Sequence, residues 1–186
     1  SVAASTTKSR SFTPTSIEVR VVMLLKHSSF WAAVIFSFAK SRSRFLVIVA
    51  TATPDLPVAS TAAYVASEIG AVNAFAYDLQ AACSSFLYGM STAASYIESG
   101  RYKKVLLIGA DKMSSIIDYK DRATCIIFGD GAGAALFEPN TDGLGLQDEY
   151  LRSDGVGRDF LRIEAGGSIM PPTLETVQQK KHFVYQ

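Results

Sequence analysis

From residue 45 onward, the hydrophobic pattern alternates between short continuous apolar runs and helical spacing. Phe45–Thr51 is a continuous apolar run rich in β-branched residues, which predicts a strand buried on both faces. Proline breaks the chain after it, and Ser60–Ile69 then has helical spacing, with Ser60 or Thr61 as the cap and Gly70 as the end. The same criteria predict a strand over Ala74–Leu79, a helix over Cys83–Ile97 that stops at Gly100, a strand over Val105–Gly109, and two more apolar runs, Thr124–Phe128 and Ala132–Phe137. Strands that alternate with helices predict an α/β layered fold.

Each predicted helix has an apolar face, and the texture changes after Glu138. The predicted faces are Ala62, Tyr64, Val65 and Ile69 in the first helix, and Phe86, Leu87, Met90, Ala94 and Ile97 in the second. Glycine, aspartate and charged residues then predict loops, with Glu175–Tyr185 as the start of a last helix. Lys180, Lys181 and His182 are predicted to form its solvated face rather than a metal or base site.

Composition and charge divide the chain at residue 44. The 186 residues are 48% hydrophobic and carry a net charge of +1, which excludes a strongly basic protein that coats nucleic acid. Residues 1–44 hold seven basic side chains and one acid, a formal +6, whereas residues 45–186 sum to −5. We therefore predict a divergent basic segment over 1–44 and the main domain over 45–186. The first segment fits a targeting sequence, an ordinary strand and helix of the fold, or a stretch foreign to the rest.

The cysteines and histidines are few and widely spaced. Cys83 and Cys125 are too few for a disulfide framework or a cysteine zinc site, and His27 and His182 lack metal-ligand spacing. No run of 18 apolar residues is present, so the sequence predicts no membrane span. A reducing compartment, and hence the cytoplasm, fits best.

Cys83 is the strongest candidate for covalent chemistry. It follows a predicted buried strand and is placed in the first turn of a predicted helix, where free backbone N–H groups and the helix dipole favour the thiolate. The same amides can stabilise an oxyanion, and the small neighbours Ala81, Ala82, Ser84 and Ser85 leave room for a substrate. The alternative is a small, inert buried cysteine, which is the interpretation we favour for Cys125.

Several segments resemble, in the same order, the β-ketoacyl-acyl-carrier-protein synthase III family of thiolase-like enzymes. They are Tyr77-Asp-Leu-Gln-Ala-Ala-Cys-Ser-Ser-Phe86, Val49-Ala-Thr-Ala-Thr-Pro-Asp55, Val105-Leu-Leu-Ile-Gly-Ala-Asp111, Asp121-Arg-Ala-Thr124 and Ile127-Phe-Gly-Asp-Gly-Ala-Gly-Ala134, with a weaker match at Leu151-Arg-Ser-Asp-Gly155. The resemblance covers about 45–186. It implies a thiolase-like layered α/β/α fold, of which this chain would be the N-terminal, nucleophile-bearing half.

The resemblance also implies a reaction. Cys83 would take an acyl group, usually acetyl, from a coenzyme A thioester and then condense it with malonyl-acyl carrier protein, with loss of carbon dioxide. This is the step that initiates fatty acid synthesis, carried out without a metal or redox cofactor, in a cytoplasmic homodimer. The alternatives are a related polyketide or hydroxymethylglutaryl-coenzyme A type synthase, and a catalytically incomplete fragment that only binds a partner.

Further roles follow from the resemblance residue by residue. Arg122 matches an arginine near the coenzyme A entrance, although Ala123 stands where the family usually has glycine; the alternative is a solvated loop arginine. Gly129–Ala134 is predicted to be closely packed backbone near the active site, with Asp130 as a turn residue. Leu56–Val58 falls near a region that reaches the partner's acyl pocket in the family dimer.

The family's histidine and asparagine motifs have no counterpart in the sequence. Neither His27 nor His182 lies in a matching motif, so neither is expected to take the histidine's role. We therefore expect the 186-residue chain to have negligible condensing activity, although acyl transfer to Cys83 could survive.

Overall fold

The computed structural model describes residues 16–22, 44–143 and 145–185, and its centre is a mixed five-stranded sheet. The strands of this sheet are β1 (Ser16–Val22), β2 (Phe45–Ala50), β3 (Phe75–Leu79), β4 (Lys104–Lys112) and β5 (Asp130–Asn140). Their order across the sheet is β1-β5-β4-β2-β3. β2 is parallel to both β3 and β4, whereas β5 is antiparallel to β4 and to β1.

Two helices cover the sheet, one on each face: α1 (Thr61–Glu68) and α2 (Ser85–Glu98). All six residues of β2 are buried, and they alternate between two core clusters. Phe45, Val47 and Val49 pack in the cluster that contains α1, whereas Leu46, Ile48 and Ala50 pack in the cluster that contains α2. The continuous apolar run of β2 is thus explained by burial on both faces, as predicted.

The first two predicted helices are confirmed, although α2 begins two residues later than predicted, and part of their predicted packing is wrong. Ser60 caps α1, since its side chain accepts a hydrogen bond from the Ala63 N–H, and Gly70 follows the helix with φ +72°. Ala62 and Ala66 are the buried residues of α1, whereas Tyr64 is exposed. In α2, Leu87 is likewise exposed. The faces predicted from apolar spacing therefore included too many residues. An aromatic residue or leucine at the border of a helix face is often exposed to solvent.

β5 is longer than its apolar run because pairing extends it through the glycines. It pairs with β4 from Val105↔Phe137 to Lys112↔Asp130, so the glycine-rich residues predicted to form a turn begin a strand. The other apolar run, Thr124–Phe128, forms turns rather than a strand, and Ile126 and Ile127 are exposed.

The N-terminal segment contributes a strand to the same sheet. β1 pairs antiparallel with β5 over its whole length, from Ser16↔Asn140 to Val22↔Ala134. This fits the interpretation of an ordinary strand of the fold. Our expectations for the rest of residues 1–44, including His27 and the apolar stretch 30–39, lie outside the described residues, and the division at residue 44 stays a prediction.

The C-terminal part is mostly loop. It contains the short antiparallel pair β6 (Arg162–Ile163) and β7 (Val184–Tyr185) and the five-residue helix α3 (Leu174–Gln178). The predicted last helix is therefore much shorter than Glu175–Tyr185, and Lys180, at φ +59°, lies in the turn after it. Lys180 bonds to Asp118, and that hydrogen bond is the main reason why the pKa of Asp118 lies below its usual value. The prediction of a solvated helix face at residues 180–182 was wrong.

Across the described ranges, no helix has the length and apolar character needed to cross a membrane.

Candidate active site

Three parallel strands end at the same edge of the sheet, and Cys83 lies there. Because β2, β3 and β4 run in the same direction, the segments that follow them meet at their carboxyl ends, the usual place for ligand binding in α/β sheets. The Thr51 N–H, just after β2, donates to the Leu79 carbonyl at the end of β3 over 3.1 Å. Cys83 follows Leu79 by four residues, after the carboxyl end of β3.

Cys83 lies in a short 3-10 turn, Ala82–Ser84, and not in the first turn of the α-helix as predicted. Ser84 is the N-cap of α2, and Cys83 precedes this cap. Cys83 is a free, exposed cysteine, which rules out the alternative of a buried inert residue. Ala82 has φ +49°, a left-handed conformation that is uncommon outside glycine. Cys83 is therefore carried on a sharp turn between a strand and a helix, with its side chain accessible.

Asp111 joins the loop after β2 to the end of β4. Its Oδ1 accepts hydrogen bonds from the Thr51 hydroxyl at 3.1 Å, the Ala52 N–H at 2.8 Å, and the N–H and hydroxyl of Thr53, each at 3.2 Å. The Thr53 hydroxyl in turn accepts from the Lys112 N–H at 2.7 Å. One carboxylate thus fixes the backbone at one side of the Cys83 edge.

Asp78 joins β3 to the start of α1. Its carboxylate accepts from the Ser60 hydroxyl at 3.1 Å, the Thr61 N–H at 2.8 Å and the Ala62 N–H at 2.7 Å. It satisfies amides that a helix N-terminus leaves unpaired and places a negative charge at the positive end of the helix dipole. The loop 54–59 is therefore held at one end by Asp111 and at the other by Asp78.

The sequence pattern missed these two carboxylates. Both aspartates lie inside segments that carry the family resemblance, and the sequence assigned neither of them a role. A signal was present, since an aspartate inside an otherwise apolar strand requires a hydrogen-bonding partner.

Arg122 lies in the turns that connect β4 to β5, at the same edge of the sheet as Cys83. Asp121 shapes its surroundings, since its Oδ1 accepts from the Ala123 N–H at 3.0 Å and its Oδ2 from the Thr124 hydroxyl at 2.7 Å. Thr124 is buried, whereas Arg122 is exposed and makes no hydrogen bond or ion pair within the part of the chain that the structure describes. The guanidinium is thus available to an anionic ligand.

Asp130 begins β5 and holds the segment after β4. Its carboxylate accepts from the N–H and the hydroxyl of Ser114, each at 2.7 Å. The backbone hydrogen bond is the main reason why the pKa of Asp130 lies below its usual value, followed by the hydroxyl, with Lys112 adding a smaller attraction. These bonds give Asp130 a structural role at the start of a strand, so the prediction of a turn residue was wrong.

The glycine-rich start of β5 lines an open apolar groove instead of forming closely packed backbone. A Cβ added at Gly131 or Gly133 would meet no atom within 4 Å. Alternation along β5 turns both positions toward the α2 side of the sheet, where Phe86, Met90 and Phe137 complete a cavity of about 590 Å³. The prediction of close packing at Gly129–Ala134 was wrong. A close approach occurs instead at Gly109 of β4, where a Cβ would lie 2.9 Å from Phe86 Cδ2.

The second cysteine and the described histidine differ from Cys83 in their surroundings. Cys125 is free and half-buried, and its N–H donates to the Asp121 carbonyl at 3.0 Å. His182 follows α3, its ring centroid lies 4.1 Å from that of Phe183, and its Nδ1 is buried without a partner. Within residues 16–22, 44–143 and 145–185, no group of three or more histidine, cysteine and acidic side chains could hold a metal ion.

Comparison with known proteins identifies the family. The family model described as 3-Oxoacyl-[acyl-carrier-protein (ACP)] synthase III matches residues 77–155, the range that contains Cys83, Arg122 and Asp130. Beta-ketoacyl-(acyl-carrier-protein) synthase III 2 of Bacteroides thetaiotaomicron is 57% identical over 141 residues, which are 76% of this chain and 42% of that protein. The main part of the chain belongs to the synthase III family.

Two further relatives support this assignment to the synthase III family. The synthase III of Chlorobium chlorochromatii is 57% identical over 143 residues, covering 76% of this chain and 44% of its own. The synthase III structure from Thermus thermophilus superposes with a TM-score of 0.64 at 40% identity, over 72% of this chain and 40% of that one. The chain spans less than half the length of the curated relatives described here.

The thiolase-like α/β fold is confirmed by these superpositions. The synthase III from Pseudomonas aeruginosa agrees as well, with a TM-score of 0.66 and 32% identity over 76% of this chain and 43% of that one. These relatives carry the synthase III name, so the polyketide and hydroxymethylglutaryl-coenzyme A alternatives are not favoured.

Proposed function

We propose that Cys83 accepts an acyl group from a coenzyme A thioester, as the first half of the synthase III reaction. The Cys83 thiol first gives up its proton, and the thiolate attacks the thioester carbonyl carbon and forms a new thioester. The bond to the coenzyme A sulfur breaks, and coenzyme A leaves as a thiolate that takes up the released proton. Splitting the reaction through a covalent intermediate replaces one difficult step by two easier ones. The observation that carries this proposal is the exposed thiol of Cys83, on a strained turn where parallel strands end.

The second half-reaction is a decarboxylative condensation. Malonyl-acyl carrier protein loses carbon dioxide, and the resulting carbanion attacks the acyl-Cys83 carbonyl. A 3-oxoacyl chain forms on the carrier protein, and Cys83 leaves as the thiolate. In the synthase III family, this condensation is the step that initiates fatty acid synthesis. No electron transfer is needed, so we propose that the reaction uses no metal or redox cofactor.

Arg122 is proposed to bind coenzyme A. A guanidinium can pair with phosphate oxygens in a bidentate manner and can stack on a planar base. The Asp121 hydrogen bonds to Ala123 and Thr124 hold the turn, and the Arg122 side chain is exposed on it. A solvated loop arginine remains the alternative, and the effect of Arg122→Ala on the half-saturating acetyl-coenzyme A concentration distinguishes the two.

Acyl carrier protein and a second copy of the chain are the proposed partners. For the dimer, β3 supports the proposal, since it is an edge strand among the described strands and Phe75 on it is half-exposed. An edge strand that meets its own copy about a two-fold axis makes a self-complementary pair. Free thiols at Cys83 and Cys125 are compatible with the proposed cytoplasmic location.

Acyl transfer is tested by incubating the folded chain with acetyl-coenzyme A and measuring intact mass and the modified peptide. The expected result is a gain of one acetyl group, located on Cys83 and absent from Cys83→Ser. Cys125→Ser is the matched control and should acylate like the wild type, because its thiol lies in a half-buried turn. Acylation of Cys125 in place of Cys83 contradicts the proposal. No acylation in a sample with native circular dichroism also contradicts it, and favours a fragment that only binds a partner.

A further inference from the structure

A single buried hydroxyl closes the turn that carries Cys83. Ser85, the first residue of α2, is only 3% exposed. Its Oγ accepts a hydrogen bond from the Ala81 N–H at 2.6 Å and donates one to the Ala82 carbonyl at 2.7 Å. A hydroxyl can serve as acceptor and donor at once, and here both partners belong to the two residues before Cys83.

The residue between these two contacts is strained. Ala82 has φ +49°, a left-handed backbone conformation that is unfavourable for a residue with a Cβ. Such conformations persist where the surrounding contacts over-determine them. The Ser84 N–H also donates to the Ala81 carbonyl at 3.1 Å, so the turn is crossed by backbone and side-chain bonds together.

The geometry has a direct consequence for Cys83. The backbone angles of Ala82 set the direction in which the next residue leaves the strand. Ala82 and Cys83 are exposed whereas Ser85 is buried, so the turn directs the thiol outward while the Ser85 hydroxyl lies inside. If the two hydrogen bonds of this hydroxyl are lost, Ala82 can relax to an ordinary backbone conformation and the thiol points elsewhere.

We propose that Ser85 is a positioning residue for Cys83, holding the strained turn in the conformation that presents the thiol. This rests on the proposed function for its effect on acyl transfer, but the presentation of the thiol can be measured without it. Ser85 does not need to touch the substrate. Ser85 raises the fraction of molecules in which the turn presents the thiol, and the rates of acylation and alkylation at Cys83 are proportional to that fraction.

The test measures two rates at Cys83 in the full chain, acylation by acetyl-coenzyme A and alkylation by iodoacetamide as a function of pH. In Ser85→Ala, the Ala81 N–H loses its acceptor and the Ala82 carbonyl keeps only its bond from the Ser85 N–H, so we expect both rates to fall about tenfold. The half-saturating acetyl-coenzyme A concentration should stay unchanged, because the lost contact does not involve the ligand. Ser85→Thr keeps the hydroxyl and should recover most of the rate.

Ser99→Ala is the matched control. The Ser99 hydroxyl donates to the Tyr96 carbonyl at 3.1 Å, the same three-residue spacing as in Ser85, but at the opposite end of α2. Its loss should leave both rates within about twofold of the wild type, since a surface hydrogen bond far from the turn changes only local stability. A Ser99→Ala effect as large as that of Ser85→Ala would show that general helix stability governs both rates, and would overturn the proposal.

A second variant keeps the test decisive if Ser85→Ala folds poorly. Glycine adopts φ > 0 without the Cβ penalty, so Ala82→Gly should reduce the dependence on Ser85. Adding Ser85→Ala to Ala82→Gly is expected to slow both rates only about twofold to threefold, a loss clearly smaller than in the wild-type background. Equal losses in the two backgrounds, or wild-type rates in Ser85→Ala, would overturn the positioning role. If alkylation responds as expected but even the wild type is not acylated, acyl transfer fails while the positioning of the thiol by Ser85 stands.

Discussion

Val58 is a β-branched residue in a backbone conformation that favours glycine. Val58 has φ +74° and is fully exposed, so no packing of its side chain within the described residues offsets the strain. We expect Val58→Gly to raise the free energy of unfolding by up to about 1 kcal/mol, the relief of strain being partly offset by the entropy of glycine in the unfolded chain. Urea denaturation of both proteins measures this change in the free energy of unfolding.

Val72 provides the control, since it is also exposed but has no positive φ. Val72→Gly should lower the free energy of unfolding by about 0.5–1 kcal/mol, because only the entropic cost remains. Equal losses in both variants would contradict a strained Val58.

The depressed pKa of Asp130 makes a prediction about pH. A carboxyl whose pKa is lower in the folded than in the unfolded chain stabilises the fold above its unfolded value of about 3.9, and this contribution is lost as pH falls through the folded value. Asp130→Asn should therefore unfold at lower urea than the wild type at pH 7, and the difference should shrink below about pH 4. A difference that stays constant from pH 7 to pH 3 would show that the Ser114 hydrogen bonds do not depend on the charge.

At the scale of elements, α2 lies on β4 at a close approach that only glycine permits. A Cβ on Gly89 would overlap Leu107 Cδ1, a side chain that is itself fully buried. Gly89→Ala should lower the free energy of unfolding by about 1–3 kcal/mol, as overpacking outweighs the helix propensity gained. Gly133→Ala is the matched control: its added Cβ meets nothing within 4 Å and should leave stability nearly unchanged. Wild-type stability in Gly89→Ala would show that Leu107 can move aside.

The sequence pattern predicted those strands and helices whose bounds depend on their own residues. Phe45–Thr51 and Ser60–Ile69 agree with the observed β2 and α1 to within one residue at each end, because a continuous apolar run and a serine cap are local signals. β5 was not predicted in full, since Gly131 and Gly133 have no strand preference and are extended by pairing with Asp111 and Gly109 of β4.

The same distinction holds in the candidate site. Cys83 could be singled out because its position after a strand is visible in the sequence. The contacts of Asp78 and Asp111 join residues 16 to 60 positions apart, so no local pattern reveals them. Ser85 was noted only as a small neighbour, because the left-handed turn that its hydroxyl spans is a property of the folded backbone.

At the scale of the whole molecule, β3 is an edge strand among the described strands, and the proposed dimer pairs through this edge. Phe75 begins β3 and is 46% exposed, with its ring centroid 5.4 Å from that of Tyr77 and 6.3 Å from that of Tyr102. Two copies that pair through β3 about a two-fold axis run antiparallel, so Phe75 lies within the paired edge of both chains. A charge placed on such an edge opposes pairing, which is how natural edge strands avoid it.

Phe75→Asp is thus expected to weaken the dimer at least about tenfold, since the carboxylate has to lose water when the edges pair and apolar contact area is lost. Sedimentation velocity over a range of concentrations measures the change, with circular dichroism to establish that the variant is folded. Tyr150→Asp is the control, because Tyr150 is an exposed aromatic residue in a loop outside the sheet and should leave the dimer intact. A folded Phe75→Asp that dimerises like the wild type would rule out the β3 edge, and equal weakening by both variants would indicate nonspecific apolar association instead of strand pairing.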